Sequence, residues 1–200
     1  MCSCIGFTGD RPNIDTNNPD LRINIHIQQE KCTVSLDSSG HSLHRRGYRK
    51  HVGSAPINEV LAAGLLMQSG WRGQCDFLDP MCGSATIPIE AAMIACNIPA
   101  NINRPEFGFE KWSDYDEDLY YVIQDSLLKK IVNPQFKIMG FDKAPSAVRK
   151  ANENVESANL SEFVGIHHVN FFNSVKEVFG STTILFNPPY GERLNIDAEE

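Results

Sequence analysis

Thr183-Ile184-Leu185-Phe186-Asn187-Pro188-Pro189-Tyr190 joins an apolar run to a stiff polar exit. The run from Thr183 to Phe186 reads as a buried strand. Two consecutive prolines cannot donate ladder hydrogen bonds, so the chain must leave the sheet at Pro188 and Pro189. That stiffness holds a side-chain amide (Asn187), a backbone carbonyl (Pro188) and an aromatic face (Tyr190) together. The trio suits a flat base with an exocyclic amino group: amide oxygen and carbonyl accept its two N–H bonds, and the ring stacks on the base. The four residues alone are also compatible with a proline-rich turn, so the decision rests on the chain upstream.

Upstream, short apolar strands alternate with helices. Phe77-Leu78 leads into Asp79-Pro80-Met81-Cys82-Gly83-Ser84-Ala85-Thr86, and a helix rich in alanine follows at 87–96. Small side chains at 82–85 leave room for a ligand to lie against backbone at the helix start. Lys137-Ile138-Met139-Gly140-Phe141-Asp142 is a second strand ending on an acid, 147–158 a helix, and Val164-Gly165-Ile166-His167-His168-Val169-Asn170 a third strand. This alternation predicts an α/β fold, a parallel sheet with helices on both faces. Such sheets bind ligands beyond the carboxyl ends of their strands. Asp79, Asp142, Asn170 and Asn187 all fall there. Asp142 is placed to accept hydrogen bonds from both ribose hydroxyls of a nucleoside. Asn170 could bond the adenine edge, and the turn at 79–86 would hold the far end of the cofactor.

The remaining segments frame this unit. Leu21-Arg22-Ile23-Asn24-Ile25-His26-Ile27 and Cys32-Thr33-Val34-Ser35-Leu36 alternate with period two and predict a hairpin, ended by Asp37-Ser38-Ser39-Gly40. A lone hairpin is marginal in water and must lean on something else. His44-Arg45-Arg46-Gly47-Tyr48-Arg49-Lys50-His51 is a basic run that reads either as a phosphate-contacting linker or as a solvated loop. Pro56-Ile57-Asn58-Glu59 opens a helix through Gln68, with Val60, Leu61, Leu65, Leu66 and Met67 on a broad apolar face and Gly70 closing it. Residues 97–136 look like an insertion: loop over 98–109, then a helix over 114–130 with Leu119, Val122, Ile123, Leu127 and Leu128 on one side.

The formal charge is −7, with 42% hydrophobic and 22% charged residues among 200. That composition is globular, and any nucleic-acid contact must come from a local basic patch. The six cysteines, Cys2, Cys4, Cys32, Cys75, Cys82 and Cys96, form no pair of C-x-x-C units, so no metal site is expected. Free thiols and the lack of a membrane-spanning run or signal pattern place the chain in the cytoplasm.

The sequence resembles the S-adenosylmethionine-dependent methyltransferases of the class I Rossmann-like fold. More narrowly, it is similar to bacterial large-subunit ribosomal RNA guanine-N2 methyltransferases that carry an RNA-binding THUMP domain ahead of the catalytic one. The likeness runs from about Leu21 onward and rests on the segments from Leu43 to Arg49, Ala55 to Ala62, Asp79 to Ala92, Gly140 to Asp142, and Asn187 to Leu194. It implies that Asp79, Met81, Cys82, Gly83, Ser84, Ala85 and Thr86, with Asp142, Lys143, Asn170 and Phe171, bind S-adenosylmethionine. Asn187, Pro188 and Tyr190 would hold a flipped guanine, and Arg45, Arg46, Tyr48 and Arg49 would meet RNA. Residues 1–52 would be the tail of a THUMP-like RNA-binding domain with a basic linker, and 53–200 the first part of the methyltransferase domain. Ala85 stands where the family usually has glycine, and Asn170 where an acid is common. The sheet is expected to be incomplete, with the fourth strand at an unpaired edge.

Methyl transfer to adenine N6 or to a transfer-RNA guanine, and a noncatalytic RNA-binding fragment, stay open as alternatives. A nicotinamide oxidoreductase fits poorly, because the G-x-G-x-x-G pattern is absent.

Overall fold

A computed structural model describes residues 14–16, 19–50, 56–173 and 180–189. Its contacts divide the chain into two units, one of residues up to 42 together with 106–117, the other of 43–105 together with the rest. The sequence suggested a single break after residue 52. The observed division comes ten residues earlier and lends a piece of the presumed insertion to the first unit.

In that first unit, β1 (Ile23–Gln28) and β2 (Lys31–Leu36) pair antiparallel, with Ile23 opposite Leu36, Ile25 opposite Val34 and Ile27 opposite Cys32. Side chains alternate across a strand, so all six lie on one face. Gln29 turns the corner at φ 54°. The chain after β2 is tied by Asp37, whose Oδ1 accepts from the Ser39 hydroxyl at 2.6 Å, the Ser39 amide at 2.9 Å and the Gly40 amide at 3.3 Å. The Ser39 hydroxyl, foremost among these, holds the carboxyl below its ordinary value.

Onto this corner folds 106–117, read from sequence as loop and helix start. The Phe109 amide donates to the Ser38 carbonyl at 3.0 Å, and Glu110 Oε1 accepts from the Phe107 amide at 2.7 Å, closing a short 3₁₀ turn at Gly108–Lys111. Phe107, Phe109 and Tyr115 stack in series, with ring centroids 5.4 and 5.9 Å apart. Gly108 makes the approach possible: a Cβ there would lie 2.8 Å from the Gly40 nitrogen and 3.0 Å from the Asp37 carbonyl.

The second unit carries β3 (Asp76–Asp79), β4 (Ile138–Asp142), β5 (Val164–His168) and β6 (Thr182–Ile184), all parallel, in the order β5-β4-β3-β6. From β3 the chain steps outward twice, then returns to the other side of β3. The order therefore reverses between β3 and β6, and the crevice beyond their carboxyl ends is the switch point where such folds take ligands. Helices α1 (Glu59–Gln68), α2 (Thr86–Ala95), α3 (Glu117–Leu128) and α4 (Pro145–Ser157) complete the chain's regular structure among the described residues. The core joins Leu66, Trp71, Phe77, Ile89, Ile138, Val155, Leu160 and Val164, with Trp71 and Phe77 tilted together at 4.9 Å.

The broad apolar face of α1 is only partly covered: Val60, Leu61 and Met67 are about half exposed, and the buried residues are Glu59, Ala62, Ala63 and Leu66. Small alanines let α1 approach closely, and that geometry outweighs the size of the apolar side chains. In α3, likewise, Leu119, Val122, Ile123, Leu127 and Leu128 are all exposed. Strand β6 stops at Ile184, two residues short of the expected Phe186, although the Leu185 amide still donates to Leu78 at 3.2 Å. Elsewhere the expected strands and helices agree to within two or three residues.

Replacing Gly108 by valine should detach 106–117 from the hairpin corner, since backbone cannot yield as a flexible side chain can. Limited proteolysis should then cut within 106–117 markedly faster than in the parent, while cleavage of 56–100 stays unchanged.

Candidate active site

The turn between β3 and α2 is held from three sides. The Cys82 amide donates to the Phe141 carbonyl at 2.8 Å, and the Ala85 amide to the Cys82 carbonyl at 2.8 Å. Asp142 spans the crevice between strands: Oδ2 accepts from the Gly83 amide at 3.0 Å and Oδ1 from the Ala144 amide at 2.9 Å. Each carboxylate oxygen so bonded keeps a lone pair for a hydroxyl donor. Gly140 lies so close to Cys82 that a Cβ there would sit 3.0 Å from the cysteine Cβ, which is why β4 has no side chain at that position.

Ala85, in the position the resemblance assigns to glycine, adopts φ 65° and ψ 26°, the left-handed region, as the residue before α2. That conformation costs an alanine about 1–2 kcal/mol and a glycine almost nothing. Its methyl is fully buried and belongs to the core.

Asp79 is 1% exposed and accepts from the Met81 amide at 3.1 Å. Burial pushes its carboxyl up to about 7; the Met81 bond pulls the other way, and the nearby negative Asp142 adds to the rise. The same desolvation drives the Cys82 thiol far above its ordinary value, so this thiol is inert. A buried acid beside a second acid is a ready partner for a cationic ligand group.

The other expected cofactor residues cluster less tightly. Lys143 and Asn170 are exposed; the Lys143 carbonyl accepts from His168 Nε2 at 3.0 Å, and Asn170 Oδ1 accepts from the Phe172 amide at 3.1 Å, opening a short turn at Phe171–Asn173. Phe171 lies 6.5 Å from Phe186, ring to ring, so this turn meets the exit from β6. Asn187 is half-buried, Pro188 and Pro189 are exposed, and Tyr190 lies outside the described residues. The structure thus brings Asp79, the 82–86 turn and Asp142 into one bonded group and leaves Asn187 at the end of the adjacent strand.

Three of the four residues expected to meet RNA are committed inside the fold. Tyr48 is 1% exposed and Arg46 is buried. Arg46 Nε and Nη2 each lie 3.3 Å from a Glu90 oxygen, and the Tyr48 hydroxyl donates to Glu90 at 3.3 Å. Arg49 Nη2 donates to the Thr86 hydroxyl at 2.8 Å and to the Ile57 carbonyl at 3.1 Å, and its Nε pairs in charge with Glu59 at 3.0 Å, with the N–H turned off the oxygen. Arg45 alone is exposed. The basic run is therefore mostly a strap across the start of α2. No sequence signal separates such a strap from a phosphate-binding loop, because its partners, Glu59, Thr86, Glu90 and Asn154, lie far along the chain. Asn154 Oδ1 accepts from the Lys50 amide at 2.9 Å and its Nδ2 donates to the Ser84 carbonyl at 3.0 Å.

A parallel sheet reversing beside β3, with acids at the ends of β3 and β4 flanking a turn of small residues, defines a doubly wound α/β domain, the fold class that it shares with methyltransferases of known structure. The chain belongs to the family described as RMKL-like, methyltransferase domain, which matches residues 46–199; the THUMP domain family matches residues 1–37. A ribosomal RNA large subunit methyltransferase K/L from Pseudomonas fluorescens (strain Pf-5) is 40% identical over 96% of this chain and 27% of its own length. Among solved structures, a putative methyltransferase complexed with SAH is 35% identical with a TM-score of 0.82, covering 92% of this chain and 47% of its own. A predicted N6-adenine-specific DNA methylase from Listeria monocytogenes is 33% identical with a TM-score of 0.79, covering 87% and 46%. The chain thus spans about a quarter of the length of the curated relatives it matches. Among the described residues no His, Cys, Asp and Glu group has metal-binding geometry, and no helix is long and apolar enough to cross a membrane.

Two outcomes follow from the buried charges. Glu90→Ala leaves the Arg46 guanidinium buried without its partner and should cost about 3–5 kcal/mol in urea unfolding, whereas replacing both by Leu and Met should recover much of the loss. Asp79 titrates near 7 when folded and 3.8 when unfolded. Its contribution is therefore full below about pH 4 and disappears as pH rises through about 7. Asp79→Asn should flatten the fall in urea midpoint across that window, leaving the share due to Glu90, which burial also pushes up.

Proposed function

We propose that this chain holds S-adenosylmethionine at the 79–86 turn and Asp142, and serves methyl transfer to the exocyclic N2 of a guanine in large-subunit ribosomal RNA, in the cytoplasm. The observation that carries the cofactor half is the Asp142 carboxylate, fixed by the Gly83 and Ala144 amides at the end of β4 with a lone pair still open on each oxygen. Support for the acceptor half comes from the Pseudomonas relative's name and the THUMP match over residues 1–37.

The residues present fit such a cofactor. Asp142 would accept the ribose hydroxyls, and the buried Asp79 would face the ammonium of the amino-acid end, with the small side chains of Gly83 and Ser84 giving it room. When bound, S-adenosylmethionine supplies an electrophilic methyl group on a sulfonium. The Asn187 amide oxygen and the Pro188 carbonyl would accept the two protons of the base amine, favouring a pyramidal nitrogen whose lone pair is directed at the methyl. Tyr190 would replace the stacking that a flipped base loses. The rate then rests on positioning and electrostatics, with no covalent intermediate on the protein. Exposure leaves Arg45 available to meet RNA, whereas Arg46, Tyr48 and Arg49 are bonded within the fold.

One observation favours a second reading. The Listeria relative is described as acting on adenine N6, and Asn-Pro-Pro-Tyr suits either amine.

Labelled S-adenosylmethionine should bind the chain saturably and not its Asp142→Ala variant; equal binding by both would sink the cofactor site. Asn187→Ala should lower transfer to unmodified ribosomal RNA about 100-fold or more while changing cofactor affinity less than about threefold. Mass spectrometry of the digested product separates the readings, N2-methylguanosine supporting the first and N6-methyladenosine the second.

A further inference from the structure

We propose that Asn154 is a positioning residue for the 82–86 turn, a reading that rests on that turn's holding the amino-acid end of the cofactor. Asn154 lies on α4, 1% exposed, and reaches across the unit in both directions. Its Oδ1 accepts from the Lys50 amide at 2.9 Å, and its Nδ2 donates to the Ser84 carbonyl at 3.0 Å. The Ser84 carbonyl left alone would be an unsatisfied buried group, so that arm of the clamp is costly to open.

What the clamp fixes is one peptide plane. The carbonyl of Ser84 and the amide of Ala85 belong to the same rigid unit. Asn154 holds its oxygen, and the Cys82 carbonyl holds its N–H at 2.8 Å. That plane precedes Ala85, whose φ of 65° is unfavourable for a residue with a side chain. A strained residue persists only where its surroundings over-determine it, and rotation of the neighbouring peptide is the motion that would relieve it. With both ends pinned, the plane cannot turn without breaking two buried hydrogen bonds. The turn therefore keeps one shape before any ligand arrives. Through Lys50 the same amide also ties down the end of the strap, whose Arg49 holds the Thr86 hydroxyl one residue beyond Ala85. Asn154 thus touches no ligand itself; it acts through the backbone that would.

The consequence is selective. Loss of the clamp should weaken binding of a ligand that reaches the turn and spare one that stops at the nucleoside. Calorimetry on the parent chain and its Asn154→Asp variant, which keeps the acceptor for Lys50 but loses the donor to Ser84, tests this with two probes. S-adenosylhomocysteine carries the amino-acid end; 5′-methylthioadenosine has the nucleoside and sulfur without it. Asn154→Asp should weaken S-adenosylhomocysteine about tenfold and leave 5′-methylthioadenosine within about twofold of the parent. Asn154→Ser, which removes both bonds, replaces it if the carboxylate variant does not fold. Equal weakening of both probes would mean a merely structural role and overturn the proposal, as would no change in either. A parent that binds neither probe would overturn the cofactor reading and this proposal with it, and that failure is visible before any variant is made.

Discussion

Glu90 is a carboxyl in the first half of a helix buried on nearly all sides, and burial pushes it above its ordinary value. Arg46 and Tyr48 keep it satisfied, and in doing so they oblige the segment before α1 to lie across α2. Much else depends on that obligation. With the strap in place, Arg49 reaches Glu59 at the start of α1 and Thr86 at the start of α2, so the two helices are fixed at their first turns by one short stretch of chain. A buried ion pair adds little net stability over an apolar substitute. Its effect is to permit only one way of laying the strap.

The turn after β3 is built from the same logic at smaller scale. Three of its residues are tied to neighbours from elsewhere in the chain: Gly83 to Asp142, Cys82 to Phe141, Ser84 to Asn154. The strands alone would bring Asp79 and Asp142 near one another, since β3 and β4 are adjacent and parallel. The bonds into the turn convert that nearness into a fixed arrangement, with Asp79 buried, Asp142 half-buried and backbone between them. A site prepared in this way does not have to order itself when a ligand arrives, which is where preorganisation saves free energy.

The hairpin unit follows a different principle. Its strands carry their apolar residues on one face by period-two alternation, legible at once in Ile23, Ile25, Ile27, Val34 and Leu36. The return of 106–117 to the hairpin corner had no such signature, because Gly108 and Phe109 make contacts with Gly40 and Ser38 at a separation of about seventy residues. Local pattern cannot announce a contact between distant backbone atoms. The apolar stripes on α1 and α3 obey the same limit: periodicity shows that a helix has an apolar side, while only the arrangement of neighbours shows whether anything packs on it.

By itself the sequence determined the sequence of strands and helices, the parallel sheet, and the acids that end its strands. These follow from short-range rules: apolar runs bounded by turn residues, Pro56 and Gly70 bracketing the helix between them, and polar residues at strand ends. The tertiary structure decided which cations are available. Arg45 and Arg46 are adjacent in the chain and equal in charge, yet one is exposed and the other buried against Glu90. It also decided that Ala85 could occupy a left-handed position, since its buried methyl is accommodated by the core and its peptide plane is held from α4. Both outcomes depend on which distant group stands opposite, and that is set when the chain closes on itself, because a side chain's charge and size are local properties and its desolvation is not.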